Sequence, residues 1–248
     1  MSEPMRNFWA GVRAEIPLLI GVFPFGMIYG ALALGAGISR PAAQMMSSIV
    51  FAGSSQFITT QLVGESAPGF VIVLTIAVVN LRHMLYSASL APYLASLSTR
   101  WKLLLSYLLT DEAYAPSIIK YETDGVQPFT HWFLFGAGLA LWSTWQISTG
   151  LGIFLGAAIP ESWSLDFALP LTFIAMVVPV LKGRPYIAAA LSAGLTALAA
   201  YSLPYKLGLI LAALVGIFVG TFLENRTNTK PETNLPIQAN LRDSLDDQ

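Results

Sequence analysis

Polar and ionisable side chains near Arg82 interrupt an apolar stretch, in a pattern that could bind a charged small molecule. Asn80, Arg82 and His83 come directly after the apolar run 69–79. Because a helix rises about 1.5 Å per residue, Arg82 would lie about 21 Å along a helix that begins at Pro68, past the middle of a hydrocarbon layer of about 30 Å. Ionisable groups at such depth are rare and usually mark a transport pathway, a proton relay or a binding site.

A counter-charge for Arg82 is available in the stretch LLTDEAYAPS. Asp111 would lie about 15 Å into a helix that begins at Trp101, which is close to the membrane centre. We therefore predict that Asp111 pairs with Arg82 in a polar cavity, while Glu112 points about 100° away around the helix. A pair that only fixes the register of two helices is the alternative to a role in transport.

Five other residues could take part in binding or proton transfer. Pro24 removes a backbone hydrogen bond and Gly26 permits unusual dihedral angles, so we expect a break or kink near Phe25 whose freed backbone groups could hold a ligand. Gln56, in the stretch FAGSSQF, is an amide among small residues suited to close helix packing. His83 either carries a proton or donates a hydrogen bond to a carbonyl, since its imidazole titrates near neutral pH.

The composition is that of an integral membrane protein. Of the 248 residues, 55% are hydrophobic and 11% are charged, and the mean hydropathy is +0.63, well outside the averages of soluble proteins. The absence of cysteine excludes disulfides and thiolate chemistry, and a net charge of -1 gives no sign of a nucleic-acid partner. The two histidines are far apart and no G-x-S-x-G elbow is present, so we expect no metal site, no cofactor and no enzyme activity.

Hydrophobic segments fill most of the chain. We expect an N-terminal cytoplasmic segment (1–15), a transmembrane transport domain (16–223) and a disordered cytoplasmic tail (224–248). The predicted segments cover 16–38, 42–63, 68–97, 103–119, 129–158, 166–182, 185–202 and 207–223.

The predicted fold class is all-α, a polytopic bundle of six to eight hydrophobic segments. Either every segment crosses the membrane, or 42–63 and 166–182, which polar residues and Pro interrupt most, are re-entrant. The first four segments and the last four run in a similar order, which indicates two structural repeats: parallel if every segment spans, inverted if two are re-entrant. Both topologies place more Lys and Arg beside the N-terminus than opposite it, so we expect both termini in the cytoplasm.

Four motifs together resemble those of a known family. PFGMIYGALA, FAGSSQF, NLRHMLYSASLAP and LLTDEAYA occur in that order, and over about residues 10–223 the chain resembles the AzlC-like, or YgaZ-type, large subunit of branched-chain amino acid exporters. The resemblance implies a bacterial inner-membrane exporter of L-valine and related amino acids. It also implies a small membrane partner of the AzlD or YgaH type.

The residues and the resemblance together lead to a hypothesis for the transport site. The substrate carboxylate would face Arg82 and freed amides near Pro24–Gly26, and its ammonium would face Asp111. Protonation of Asp111, Glu112 or His83 would couple export to the proton motive force. A passive channel, or a transporter for another small solute, is the alternative.

Overall fold

The structure is a computed structural model that describes residues 2–125, 127–155, 181, 183–204 and 207–227. The chain divides into two compact units, Met1–Thr172 and Phe173–Gln248. Every regular element among the described residues is an α-helix, which confirms the predicted all-α class. Nearly all of the predicted segment 166–182, and the predicted tail from residue 228 onward, lie outside the described residues.

The described helices fall into both units. Those of the first unit are α1 (Glu3–Gly35), α2 (Arg40–Ile49), α3 (Gly53–Gly64), α4 (Gly69–Leu94), α5 (Thr99–Leu108), α6 (Asp111–Asp124) and α7 (His131–Leu155). Those of the second unit are α8 (Arg184–Ala199) and α9 (Leu207–Thr227). By length and composition, three described stretches are suited to crossing a membrane: Glu3–Gly35, Gly69–Leu94 and Leu207–Arg226.

Helices α1 and α7 pack side by side in the same direction. A Cβ added at Gly11 would lie 2.0 Å from the carbonyl oxygen of Phe133, and one added at Gly30 would lie 2.5 Å from that of Thr149. The contacts advance together along both helices, so the pair is parallel. Glycine is needed because lipid gives apolar helices little reason to associate, and close backbone approach supplies the attraction instead.

Helix α1 has no break near Phe25, where a break or kink was expected. Helix α1 continues through Pro24 to Gly35, and Phe25 and Gly26 are buried within it. Membrane helices tolerate an internal proline because neighbouring groups can satisfy the carbonyl that loses its partner. The same helix begins at Glu3, so the polar residues before the first apolar run form its first turns.

The second hydrophobic segment is broken in its middle and turns back on itself. Helix α2 ends at Ile49 and α3 begins at Gly53, and Phe51 between them has a left-handed backbone with φ 42°. A Cβ added at Gly64, the last residue of α3, would lie 3.7 Å from the Cβ of Ala36. Both ends of the α2–α3 hairpin therefore lie at the C-terminal end of α1, which agrees with the re-entrant alternative for this segment.

The fourth hydrophobic segment is also a broken hairpin, which corrects the prediction of one helix through 103–119. Near the start of α5, Trp101 packs edge-on against the ring of His131. Near the end of α6, the Nζ of Lys120 lies over the ring of Phe133. Both ends of the α5–α6 hairpin therefore lie at the N-terminal end of α7.

A local capping signal explains why the continuous helix was wrong. Helix α5 ends at Leu108, and Thr110 then caps a new helix, since its Oγ1 accepts a hydrogen bond from the amide of Ala113 at 3.4 Å. Asp111 is consequently the first residue of α6 rather than a mid-helix residue.

Helix α4 joins the two hairpins and runs antiparallel to α1. Its middle contacts the start of α3, where Ser55 hydrogen-bonds to Asn80, and its C-terminal half follows α6, where Tyr93 stacks on Tyr121. Helices α1–α3 and α4–α6 therefore repeat one plan in opposite directions: a long helix followed by a broken hairpin at its C-terminal end. The repeat predicted from the sequence instead related the first four segments to the last four, part of which lies outside the described residues.

The second unit contains a helical hairpin whose contacts are made by small residues. A Cβ added at Gly216 would lie 3.0 Å from the Cβ of Ala193, and one added at Gly220 would lie 3.1 Å from that of Ala189. The partners advance in opposite directions along the two helices, so α8 and α9 are antiparallel.

The two hairpins predict a pattern of chemical accessibility that a spanning topology would not give. Because the chain has no cysteine, single cysteines can be placed at the exposed positions Ser39, Ser66, Ser98 and Thr123. In intact membrane vesicles, a membrane-impermeant maleimide should label the variants at Ser39 and Ser66 from one side, and those at Ser98 and Thr123 from the other. Labelling of Ser39 and Ser66 from opposite sides would show that α2–α3 crosses the membrane.

The α1–α7 contact predicts that glycines of α1 differ sharply in their tolerance of alanine. Gly30→Ala should destabilise the protein by about 1–3 kcal/mol, because the new methyl group would overlap a backbone carbonyl of α7. Gly21→Ala is the matched control in the same helix, since nothing lies within 4 Å of its added Cβ. The measurement is thermal unfolding of the purified protein in detergent, and equal melting temperatures for both variants would contradict the close packing.

Candidate functional site

The tips of the two hairpins meet beside the middle of α4, at Arg82. The Nη1 of Arg82 donates to Oδ2 of Asp111 at 3.0 Å, and its Nη2 donates to Oγ of Ser54 at 2.6 Å. Asp111 is the first residue of α6 and Ser54 is the second residue of α3. Arg82 thus connects the N-terminal turns of two short helices, and the Arg82–Asp111 pair predicted from the sequence is present.

The Arg82–Asp111 pair is largely, but not wholly, enclosed. The side chains of Arg82 and Asp111 are 26% and 23% exposed. The Nε of Arg82 is buried and has no hydrogen-bond partner among the described residues. A guanidinium donor without an acceptor, next to a partly open surface, can bind an anion. Other parts of α4 expose large apolar side chains, as a lipid-facing surface does: Phe70, Val73, Leu74, Leu81, Met84 and Leu85.

The two short helices bring opposite charges to the site. Helix α3 has neither a capping side chain nor an acidic residue in its first turn, so its terminal amides carry partial positive charge. The Oγ of Ser55 in that turn donates to Oδ1 of Asn80 at 2.6 Å. Helix α6, in contrast, is capped by Thr110 and carries Asp111 and Glu112 in its first turn. A zwitterion would find a positive and a negative end in this arrangement.

An aromatic wall borders the first turn of α3. The rings of Phe25 and Phe57 are 4.4 Å apart, and Trp145 lies beside Phe25. The Nε1 of Trp145 donates to Oε1 of Gln56 at 3.0 Å, while Nε2 of that buried amide has no hydrogen-bond partner among the described residues. A Cβ added at Gly53 would lie 3.1 Å from the Trp145 ring. The wall is therefore close enough to contact an aliphatic group bound at the α3 terminus.

The residues predicted on α1 as part of the site lie in an unbroken stretch of helix rather than at a break. Pro24 is exposed and Gly26 is buried, and a Cβ added at Gly26 would lie 2.0 Å from Oγ of Ser148 on α7. Because α1 is unbroken there, the backbone around Phe25 has no freed amides to offer a carboxylate. The uncapped terminus of α3 provides such amides instead.

His83 and Glu112 both lie near the Arg82–Asp111 pair. The Nε2 of His83 is buried without a hydrogen-bond partner among the described residues, and its ring lies 6.1 Å from that of Tyr86. Glu112 interacts electrostatically with Asp111 and lies in the first turn of α6, after the capping residue Thr110. The site therefore places two further titratable groups next to the ion pair.

A mainly apolar cavity of about 200 Å³ lies between α4 and α5. It begins near Lys102 and Ala95, at the end of α4, and reaches Leu109 in the break between α5 and α6. Ser87 and Ser106 provide hydroxyl groups along the cavity. The cavity thus leads from the N-terminal side of α1 toward the break that precedes Asp111.

Glu15 is the main residue that the sequence interpretation missed. Its side chain is fully buried on α1, and neither carboxylate oxygen has a hydrogen-bond partner among the described residues. The sequence interpretation placed Glu15 in a polar N-terminal segment. A usable signal was its spacing, because Glu15 lies one turn after the buried Gly11 and on the same face as Val22 and Gly26.

Ser54, in the stretch FAGSSQF, was not among the predicted site residues, although it accepts a hydrogen bond from Arg82. The break before Asp111 could also have been found, since Thr110 followed by two acidic residues is a typical helix start. Among the described residues, no group of His, Asp and Glu side chains is arranged to hold a metal ion.

Comparison with known proteins gives consistent matches. The model of the AzlC protein family matches residues 17–159. The chain is 32% identical over 214 residues to an uncharacterized membrane protein of Archaeoglobus fulgidus, covering 84% of this chain and 92% of that protein. It is 26% identical to the inner membrane protein YgaZ of Escherichia coli K12, covering 86% and 88% of the two chains. It is also 26% identical to the branched-chain amino acid transport protein AzlC of Bacillus subtilis, covering 69% and 68%. No solved structure matches the chain.

The ion pair at the hairpin tips predicts a specific pattern of stability. Arg82→Ala and Asp111→Ala should each destabilise the purified protein by about 1–3 kcal/mol, between the values for exposed and fully buried pairs, because each leaves one charge without its partner. The double variant should regain much of that loss. Thermal unfolding of all three variants measures the coupling between the two residues.

The exposed pair Lys120–Asp124 on α6 serves as the control. The same double-mutant cycle at this pair should give a coupling free energy below about 1 kcal/mol, as surface pairs usually do. Additive effects of the Arg82 and Asp111 substitutions would show that these two side chains do not interact in the membrane.

Proposed function

The chain belongs to the AzlC family of membrane proteins, and from this premise we propose that it exports branched-chain amino acids such as L-valine across the bacterial inner membrane. The B. subtilis relative is named a branched-chain amino acid transport protein, which supports amino acids as the substrate class. The single observation that carries the proposal is the meeting of two oppositely charged helix starts at Arg82.

The substrate carboxylate would bind between Arg82 and the first turn of α3. Arg82 Nε has no acceptor there in the part of the chain that the structure describes, and the amides at the start of α3 add partial positive charge. The substrate ammonium would bind at Asp111 and Glu112 in the first turn of α6. The aliphatic side chain would rest against the aromatic wall that Phe25 contributes to. This assignment replaces the α1 backbone by the start of α3 as the carboxylate site.

A zwitterion suits this site better than a solute with a single charge does. When it enters, its carboxylate takes the place of Asp111 beside Arg82, and its ammonium takes the place of Arg82 beside Asp111. Every charge keeps a partner, so the large cost of an unpaired charge in a low-dielectric site is avoided. A singly charged solute would leave one protein charge unpaired.

Contact between the two hairpins favours a carrier over a passive channel. The hydroxyl of Tyr107, near the tip of α5, donates a hydrogen bond to the carbonyl of Ser48, near the tip of α2. The rings of Tyr107 and Phe51 are also in contact. A route past these tips requires them to separate, as alternating access does and an open pore does not.

The charge distribution of the first unit supports a cytoplasmic N-terminus. Basic residues are more numerous on the side of the first unit where α1 begins than on the side where α1 ends. Arg40 lies on the side where α1 ends, and the opposite side has Arg6, Arg13, Arg100, Lys102 and Lys120. Cytoplasmic connections carry such an excess. The cavity that reaches Leu109 would then admit substrate from the cytoplasm, and the proton motive force would drive export.

A small membrane subunit of the AzlD or YgaH type would complete the transporter. The exposed Tyr107 accepts a hydrogen bond from Trp142 at 2.7 Å, and Ser106 beside it is also exposed. Polar groups on a short helix within the membrane need protein rather than lipid around them. The α5–α6 hairpin is therefore the surface at which we place the partner.

Transport in proteoliposomes tests the proposal directly. The protein co-purified with the small subunit should move labelled valine, and an imposed pH gradient should accelerate it. Arg82→Ala and Asp111→Ala should each lower transport by about 30-fold or more, because loss of a buried charge contact costs about 2–5 kcal/mol. Lys120→Ala, at a surface ion pair, is the control and should transport normally.

Two outcomes would contradict the proposal. Normal valine transport by the double variant Arg82→Ala/Asp111→Ala would show that the pair is only structural. Flux that ignores the pH gradient and greatly exceeds the turnover of carriers would favour the channel. Equal transport with and without the small subunit would contradict only the proposal that the transporter has two subunits.

A further inference from the structure

Glu15 is a fully buried carboxylate that the binding scheme above does not use. It lies on α1, with both oxygens buried and without a hydrogen-bond partner among the described residues. Helix α6 packs against α1, and Glu112 in its first turn is the charged group that interacts electrostatically with Glu15. Two carboxylates thus interact electrostatically across the contact between these helices, without a direct hydrogen bond.

The helices that pack against α1 bring no cation to this pair. Helix α3 has no ionisable residue, and α7 has only His131, its first residue, which packs against Trp101. The cation of α2 is Arg40, at the opposite end of α1. Lys120 of α6 is paired with Asp124. Arg82, the cation near Glu112, is already bound to Asp111.

Two neighbouring carboxylates without a cation cannot both be ionised in such surroundings. Removing an ionised carboxylate from water without a partner costs several kcal/mol, and a second negative charge nearby adds repulsion. Binding one proton relieves both costs, because it removes one of the two negative charges.

We propose that Glu15 and Glu112 share one proton and form the proton-carrying site of the transporter. The proposal rests on the export function above and names the groups that couple it to the proton gradient. It places a proton site at the α1–α6 contact, which shares Glu112 with the substrate site.

Coupling follows from the position of Glu112 next to Asp111. A substrate ammonium that binds in the first turn of α6 offsets the negative charge of Glu112. The repulsion that keeps the proton on the pair then weakens, and the proton leaves to water. When the substrate departs, the pair loses that positive charge and binds a proton again. Proton and substrate therefore compete for the same negative charge, which makes the cycle an exchange of one proton for one amino acid in opposite directions.

Infrared difference spectroscopy tests the shared proton without relying on transport. The purified two-subunit protein at neutral pH should show the absorption of a protonated carboxyl group, and valine should reduce it. Glu15→Gln should abolish the valine-dependent change, because Gln cannot exchange a proton. Glu122→Gln, which changes an exposed acid on α6, is the matched control and should keep it. No valine-dependent carboxyl signal in a wild-type protein that transports valine would overturn the proposal.

Transport provides the second readout. In proteoliposomes of the Glu15→Gln protein, the ratio of valine transport with and without a pH gradient should fall to about one, since a gradient cannot bias a protein that binds no proton differentially. Glu122→Gln should keep the wild-type ratio, and a wild-type ratio in Glu15→Gln would overturn the proposal. If the wild-type protein moves no valine at all, the export function fails. The carboxyl signal and its loss in Glu15→Gln then still decide whether the pair holds a proton.

Discussion

A guanidinium held halfway along a membrane helix is the constraint on which the described fold depends. The side chain of Arg82 extends from a helix that also has a surface suited to lipid. Its partners must therefore come from chain segments whose ends lie at the same depth in the membrane. An uninterrupted helix offers neither free amides nor a carboxylate at its start. The breaks at 50–52 and 109–110 create two helix starts at that depth, and Ser54 and Asp111 bind Arg82 from them. The interruptions in the two hairpins are therefore what makes the buried charge tolerable.

The frame and the hairpins are held by different kinds of contact. Helices α1 and α7 touch backbone to backbone at glycines, and such contacts allow little sliding because any shift produces overlap. The α2–α3 hairpin is instead attached to α7 by side-chain hydrogen bonds, as between Gln44 and Gln146 and between Ser47 and Thr149. Hydrogen bonds of this kind can exchange partners without leaving a void. These contacts favour a rigid α1–α7 pair and hairpins that move relative to it.

Sequence reasoning found the charged pair but not all of its surroundings. Arg82 and Asp111 were predictable because an unpaired charge in lipid is so costly that a partner must exist. The break before Asp111 was missed because a hydropathy average extends over many residues, whereas Thr110 ends one helix and starts the next within a single turn. Of the break or kink predicted near Phe25, the break is absent, since proline alone does not end a helix. Glu15 was missed because its burial comes from the packing of α1 against helices that are distant in sequence.

The opposed plans of α1–α3 and α4–α6 have a consequence for energetics. Each end of the first unit is closed by the same kind of element, a long helix leading into a folded-back hairpin. In the proposed transporter, opening either end would move an equivalent hairpin, and two states related in this way can be close in free energy, so that small inputs decide between them. Such a molecule has little built-in polarity. The direction of net flow would be imposed by concentrations and voltage on either side of the membrane rather than by the architecture, and reversing those conditions would reverse the flow.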